Sequence, residues 1–339
     1  MRRLALLILL LVSLLAVSSP ITPDANRRSE EQTFLTYPEW FLVHSPAEYA
    51  RYVTADRPLS DFPFWGHIRQ LWSSYASVTE ATASYPLNTG YHVMILVIAS
   101  STTIEYGLRL AYERTLGRLG EWLRGPAPTA EESYAARIAQ DYVNFIRVLP
   151  WYEYDFVRAM HGLWRLPASG DSLFRKWERR YALSTEYLVK AGYGWLIKQA
   201  TQASYGTELL TTLVVLDRQP SPNAQLPDFH PLQTLPDGRQ LVRLPRYEAF
   251  SPYAEALAQQ GTNFREIAGN PPQAKLLLTI LTPVSWRPGS NQDQLLFEQP
   301  LLTEPTRKRV ALVTRVGLLG ERLRQLHSQP VELEHIYDY

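Results

Sequence analysis

The stretch YHVMILVIASSTTIEYGLRLAYERTLGRL, Tyr91 to Leu119, begins as an apolar run, passes Ser100, Ser101, Thr102 and Thr103, meets Glu105 and leaves rich in arginine. From Pro86 to Ile104 it holds no Asp, Glu, Lys or Arg over 19 residues, close to the roughly 20 that a helix needs to cross a hydrocarbon core. Two readings compete: a membrane span near 91–108, or a buried helix whose Ser and Thr hydroxyls bond back to the preceding turn. The flanks favour the span. Arg109, Arg114, Arg118 and Arg124 follow it, and cationic residues collect on the cytoplasmic side of inner-membrane helices. Glu105, Arg109 and Glu113 recur at four-residue spacing, which predicts an ion-pair ladder on one helical face. A carboxylate within the membrane could instead gate protons or hold a cationic headgroup; Arg109, one turn from Glu105, favours the ladder.

The N-terminus sets the direction of such a span. MRRLALLILLLVSLLAVSSP carries Arg2 and Arg3, an uncharged apolar run from Leu4 to Val17, and small residues after it, the layout of an export signal. Residues 1–20 are read as a signal peptide or N-terminal anchor. The chain after them emerges outside, and 91–108 would bring it back.

Composition narrows the function classes. A chain of 339 residues suits two domains beyond an anchor. With 34 basic residues against 33 acidic and a formal charge of +1, no global field gathers nucleic acid, and no nucleic-acid partner is expected. The absence of cysteine excludes disulfides, thiolate metal sites and cysteine nucleophiles.

Helix starts are legible in 21–206, which reads as an all-helical, membrane-associated region. Ser45-Pro46-Ala47-Glu48 has the form of a capping box opening a short helix through Tyr52, and Thr129-Ala130-Glu131-Glu132 repeats the pattern before a helix that Pro150 stops. Asp171 is placed to cap a third, long helix through Lys198. After Gly206 the texture becomes β-rich, starting with LLTTLVVL at Leu209 to Leu216 and a hairpin turn at Leu235 to Arg239. With 283–305 read as a loop, residues 207–339 reduce to strand-helix-strand-strand-helix-strand. That order predicts a ferredoxin-like α+β sandwich with extra strands, and α+β for the whole chain. No tandem repeat is visible in the letters.

Aromatic and basic residues crowd together beyond Pro150. Trp151, Tyr152, Trp164, Trp177 and Trp195 interleave with Arg175, Lys176, Arg179 and Arg180, the mixture found where a helix meets an anionic leaflet. These nine are the expected membrane-interface residues. A helical core with a solvated basic face has the same composition.

Catalytic signatures are missing. G-x-S-x-G, the P-loop, H-E-x-x-H and the EF-hand pattern do not occur. Gly192-Tyr193-Gly194 lacks the third glycine of a dinucleotide site. His44 and Glu48 have metal-compatible spacing, but Glu48 is claimed by the capping box. Glu332, Glu334 and Asp338 share a parity on the last strand and read as edge protection rather than a metal site. Neither a metal nor a cofactor is expected.

TYPEWF at Thr36 to Phe41, FPFWGH at Phe62 to His67, GYH at Gly90 to His92 and RKWERR at Arg175 to Arg180 together resemble a family of bacterial membrane-associated proteins with no assigned activity. The resemblance covers Thr33 to Gly206 and implies membrane association without catalytic residues. The expectation is therefore a bacterial inner-membrane adaptor or assembly factor, non-enzymatic, contacting lipid, with a cytoplasmic C-terminal domain for a protein partner. The alternative is a soluble, periplasmic enzyme or lipid-binding protein with an aromatic-lined apolar cleft. Glu39, His67, His92, Glu105 and Arg109 are the ligand-binding candidates for such a cleft.

Overall fold

A computed structural model describes residues 28–167, 172–202, 210–221, 226–289 and 294–339. The expected export signal and the expected cap Asp171 lie outside these residues. The chain is α+β: helices α1 Gln32–Thr54, α2 Phe64–Ala81, α3 Thr89–Tyr112, α4 Arg118–Arg124, α5 Ala130–Ile146, α6 Phe156–Trp164 and α7 Leu173–Gln202 precede two antiparallel sheets. A π-helical turn, Glu113–Gly117, joins α3 to α4 without interrupting the helical run.

Two compact units result. One, helical, takes Trp40–Leu71 and the described residues of His92–Gly206; the other, α+β, takes 28–39, Trp72–Tyr91 and the described residues from Thr207 onward. The boundary is thus not a single cut near Gly206, because the starts of α1 and α3 and the end of α2 belong with the sheets.

The two capping boxes fare differently. Thr129 accepts from the Glu132 amide at 3.2 Å while Glu132 accepts from the Thr129 amide at 2.8 Å, so α5 starts as expected. Ser45 and Glu48 cap nothing, because α1 runs through them without a break. Pro46 cannot offer an N–H to the Leu42 carbonyl, yet burial of Phe41, Val43 and Tyr52 on either side holds the helix together. Packing overrides the local start signal.

In the α+β unit, strands β1 Thr211–Leu216, β2 His230–Thr234, β3 Gln240–Pro245 and β4 Phe264–Ile267 form one sheet in the order β2-β3-β1-β4. Strands β5 Lys275–Pro283, β6 Gln294–Pro300, β7 Arg307–Arg315 and β8 Glu332–Tyr337 form the other in the order β6-β7-β5-β8. The halves are the same motif twice. Each runs three strands, a 3-10 turn, a helix and a last strand, with α8 Phe250–Gln259 and α9 Leu319–His327 in matching places. A constant offset of 69 residues relates Tyr247 to Val316, Phe250 to Leu319 and Ile267 to Ile336. The expected order of elements is corrected at one point: β6 lies in the stretch read as a loop.

One core serves both halves. Val214, Val242, Phe264, Leu278, Leu312 and Ile336 from the sheets meet Phe250, Leu257, Leu319 and Leu323 from the helices, all essentially inaccessible. The second sheet is also covered on its other side by the start of α1, which explains the unbroken burial of β5 and β7. Thr33 Oγ1 donates to the Tyr337 carbonyl and accepts from the Leu277 amide, both at 2.8 Å, and the Tyr37 hydroxyl donates to Gln299 at 3.0 Å. The first sheet keeps the half-exposed alternation of a one-sided strand, with Leu213 paired to Arg243 on the open side. Glu332 and Glu334 pair with Arg307 and Arg309 at 2.6 Å.

Asp338 is the costly residue of this unit. Burial pushes its carboxyl up to about 7 even though Arg246 lies 3.7 Å away. A folded-state value above the unfolded one means that the native state holds the extra proton between about pH 4 and 7, so stability falls as pH rises through that window. Asp338→Asn is expected to raise unfolding free energy by about 1–3 kcal/mol at pH 8 and to change little at pH 4, as read by urea titration at both values.

Candidate functional site

The run Thr89–Arg124 is, among the described residues, the one helix long and apolar enough to cross a membrane, yet only 22% of its most apolar window is buried. Ile95, Ala99, Thr102 and Tyr106 form its buried side. Leu96, Ile104 and Leu108 are exposed on the other. The inward side meets two ionic clusters built on α7.

The first cluster contains part of the expected ladder. Arg109 lies 3.5 Å from Glu105 and 3.6 Å from Glu186, while Lys190 approaches Glu105 at 3.0 Å and Glu186 at 2.9 Å. Two cations and two carboxylates balance. Burial acts to raise the Glu186 carboxyl, but Arg109 and Lys190 outweigh it and hold the group well below the usual carboxylate range. Arg109 also stacks over Tyr49 at 4.4 Å.

Glu113, the third rung, is turned elsewhere. The π turn carries it inward, where Arg179 grips it in a bidentate pair at 2.9 and 3.0 Å. Around this pair lies the second cluster. Arg175 donates to Glu132 and Glu178 and to the Gly117 carbonyl, each at 2.9 Å. Arg180 donates to Glu131 at 2.8 Å, and Lys176 lies 3.7 Å from the same carboxylate. Glu121 accepts from Ser60, and Arg124 pairs with Asp56 at 2.8 Å. Burial acts to raise Glu132, but Arg175 and the Thr129 amide bring it below its ordinary value. Gly117 and Gly120 make the close approach feasible: a Cβ on Gly117 would lie 2.2 Å from Glu113 Oε2, and one on Gly120 3.0 Å from Arg175 Nη1.

The four basic residues expected at a lipid surface are therefore inside. Arg175, Lys176, Arg179 and Arg180 are buried against carboxylates, and a guanidinium already saturated by carboxylates is not available to headgroups. Trp164 and Trp177 stay half exposed, 6.1 Å apart, with Arg180 over both rings. Trp151 stacks on Tyr193 at 5.4 Å and lies beside Tyr152, and Trp195 is exposed.

Among the ligand-binding candidates, Glu105 and Arg109 come together. His67 sits in a separate buried cluster, where Ser45 Oγ lies 3.0 Å from its Nδ1 and 2.7 Å from the Tyr106 hydroxyl, and Glu48 is 3.8 Å from its Nε2. Serine, histidine and glutamate are the ingredients of a hydrolytic triad, but here all three are buried, at 2%, 0% and 1% exposure. Glu39 belongs to the other unit and accepts from Tyr91 at 2.7 Å. His92 is half-buried in the helical unit. No group of three metal-ligating side chains occurs among the described residues. No family model, curated protein or solved structure matches this chain.

A cleft of about 130 Å³ opens beside the second cluster, lined by Tyr49, Arg57, Glu121, Arg124, Glu132 and Arg179. It is well below the roughly 300 Å³ of a small-molecule site. Its walls mix charged residues with Val53, Leu59, Ala135 and Leu183. The arrangement fastens α7 to the π turn, α4 and α5. Sequence reasoning missed Glu131, Glu132, Glu178 and Glu186 as partners. No local signal marks them, because only Glu178 lies within RKWERR while Glu113, Glu131 and Glu132 come from elsewhere in the chain.

Proposed function

We propose that the protein is a non-enzymatic adaptor or assembly factor of the bacterial inner membrane, whose helical unit meets lipid through the outward side of α3. The carrying observation is the asymmetry of that helix. The two charged residues of α3, Glu105 and Arg109, are paired with Lys190 and Glu186 of α7, while Leu96, Ile104 and Leu108 point outward, the reverse of a solvated surface helix. The α+β unit then consists of two ferredoxin-like halves, each with strand order 4-1-3-2 and no first helix. The open side of its first sheet, at Leu213 and Arg243, is the surface offered to a protein partner. In isolated membranes, a cysteine at Leu108 is expected to be shielded from a water-soluble maleimide.

A further inference from the structure

Within the run Thr89–Arg124, two arginines stand outside both ionic clusters. Arg114 and Arg118 are exposed and make no ion pair among the described residues, whereas Arg109, Arg124, Arg175, Arg179 and Arg180 are all paired. They continue at four-residue spacing into Trp122, which is 79% exposed. Beside this column lie Leu116, Leu119 and Leu123, also exposed. The π turn produces the arrangement: the residue it adds turns Glu113 and Gly117 inward and leaves Arg114 and Arg118 outward.

We propose that the outward side of 104–123 is an interfacial surface that lies in the plane of an anionic bilayer, the arginines on lipid phosphates and the leucines and Trp122 below them. This rests on the membrane reading above and specifies its lipid and orientation. Free guanidinium groups next to exposed leucines and a tryptophan are complementary to a headgroup layer over acyl chains. Arginine suits phosphate because its planar fork donates two parallel hydrogen bonds. The in-plane orientation follows from the length of the apolar side. A span at 91–108 would leave the exposed Leu116, Leu119, Trp122 and Leu123 beyond the hydrocarbon. An in-plane helix keeps them at the lipid and the paired Glu105, Arg109, Glu186 and Lys190 on its protein side. It replaces the crossing expected at 91–108 and leaves the rest of the chain on the face to which the export signal delivers it, the periplasmic one.

The test uses the full chain, which has no native cysteine, with an environment-sensitive fluorophore at Leu119→Cys and, separately, at Leu123→Cys. Phosphatidylcholine vesicles with and without phosphatidylglycerol are added. The expected result is a blue shift at both positions on the anionic vesicles, with Arg114→Gln/Arg118→Gln weakening the response on the order of tenfold or more. Water-like emission at both positions on vesicles that carry the chain would overturn this surface while leaving the membrane reading standing. Equal shifts on neutral vesicles, or no effect of the arginine changes, would remove the anionic headgroup. A blue shift without lipid would assign the surface to a second copy of the chain, and absence of the chain from all vesicles would sink the membrane reading with it.

Discussion

Arg179→Leu is expected to destabilise the helical unit by about 3–5 kcal/mol, the cost of leaving a buried carboxylate without its partner. Glu113 is 5% exposed and takes both Arg179 contacts at 3.0 Å or less, and Glu178 also accepts from Arg179 Nε at 2.8 Å. Removing the cation leaves Glu113 without its bidentate partner, while Glu178 keeps Arg175 at 2.9 Å. Thermal unfolding should fall by roughly 10 °C, at about 2–4 °C per kcal/mol for domains of this size. The double variant Arg179→Leu/Glu113→Leu should recover much of the loss, because two matched apolar groups carry no desolvation penalty. A double-mutant cycle in urea measures this as a coupling of at least about 2 kcal/mol. Coupling near zero would mean that the pair is solvated and that the ionic frame does not hold α7.

Gly117→Ala is expected to change sign with its background. In the natural chain the added Cβ would sit 2.2 Å from Glu113 Oε2, and Arg179 prevents that carboxylate from moving aside. A destabilisation of about 2–3 kcal/mol follows, typical of overpacking at a closed site. In a Glu113→Ala background the obstacle is gone. The substitution should then stabilise by up to about 1 kcal/mol, the ordinary gain of alanine over glycine within a helix. Urea titration of the four chains reads both signs.

Both predictions concern groups that the sequence only partly disclosed. The four-residue spacing of Glu105, Arg109 and Glu113 predicts one shared face, and Glu105 with Arg109 follow it. Glu113 does not, because a π turn has no signature in spacing and is selected by what it allows Glu113 and Arg175 to reach. The run RKWERR reads as a basic surface because its partners Glu113, Glu131 and Glu132 come from distant helices. Thr129–Glu132 is a cap in sequence and in structure, whereas Ser45–Glu48 has the same letters inside a continuous helix. The α+β character of the C-terminal part was legible from its β-rich runs. The duplication was not, because positions 69 residues apart share burial rather than identity, as at Phe250 and Leu319 or Ala254 and Leu323.

The measurement closest to the central claim is the maleimide reaction rate at a cysteine placed at Leu108, in membranes from cells making the full chain. A second cysteine at Arg239, in the exposed turn between β2 and β3, gives the rate of an open position. The account predicts that Leu108→Cys reacts at least about tenfold more slowly than Arg239→Cys and catches up once detergent removes the lipid. Equal rates before detergent would contradict it, and would place the apolar side of α3 in water.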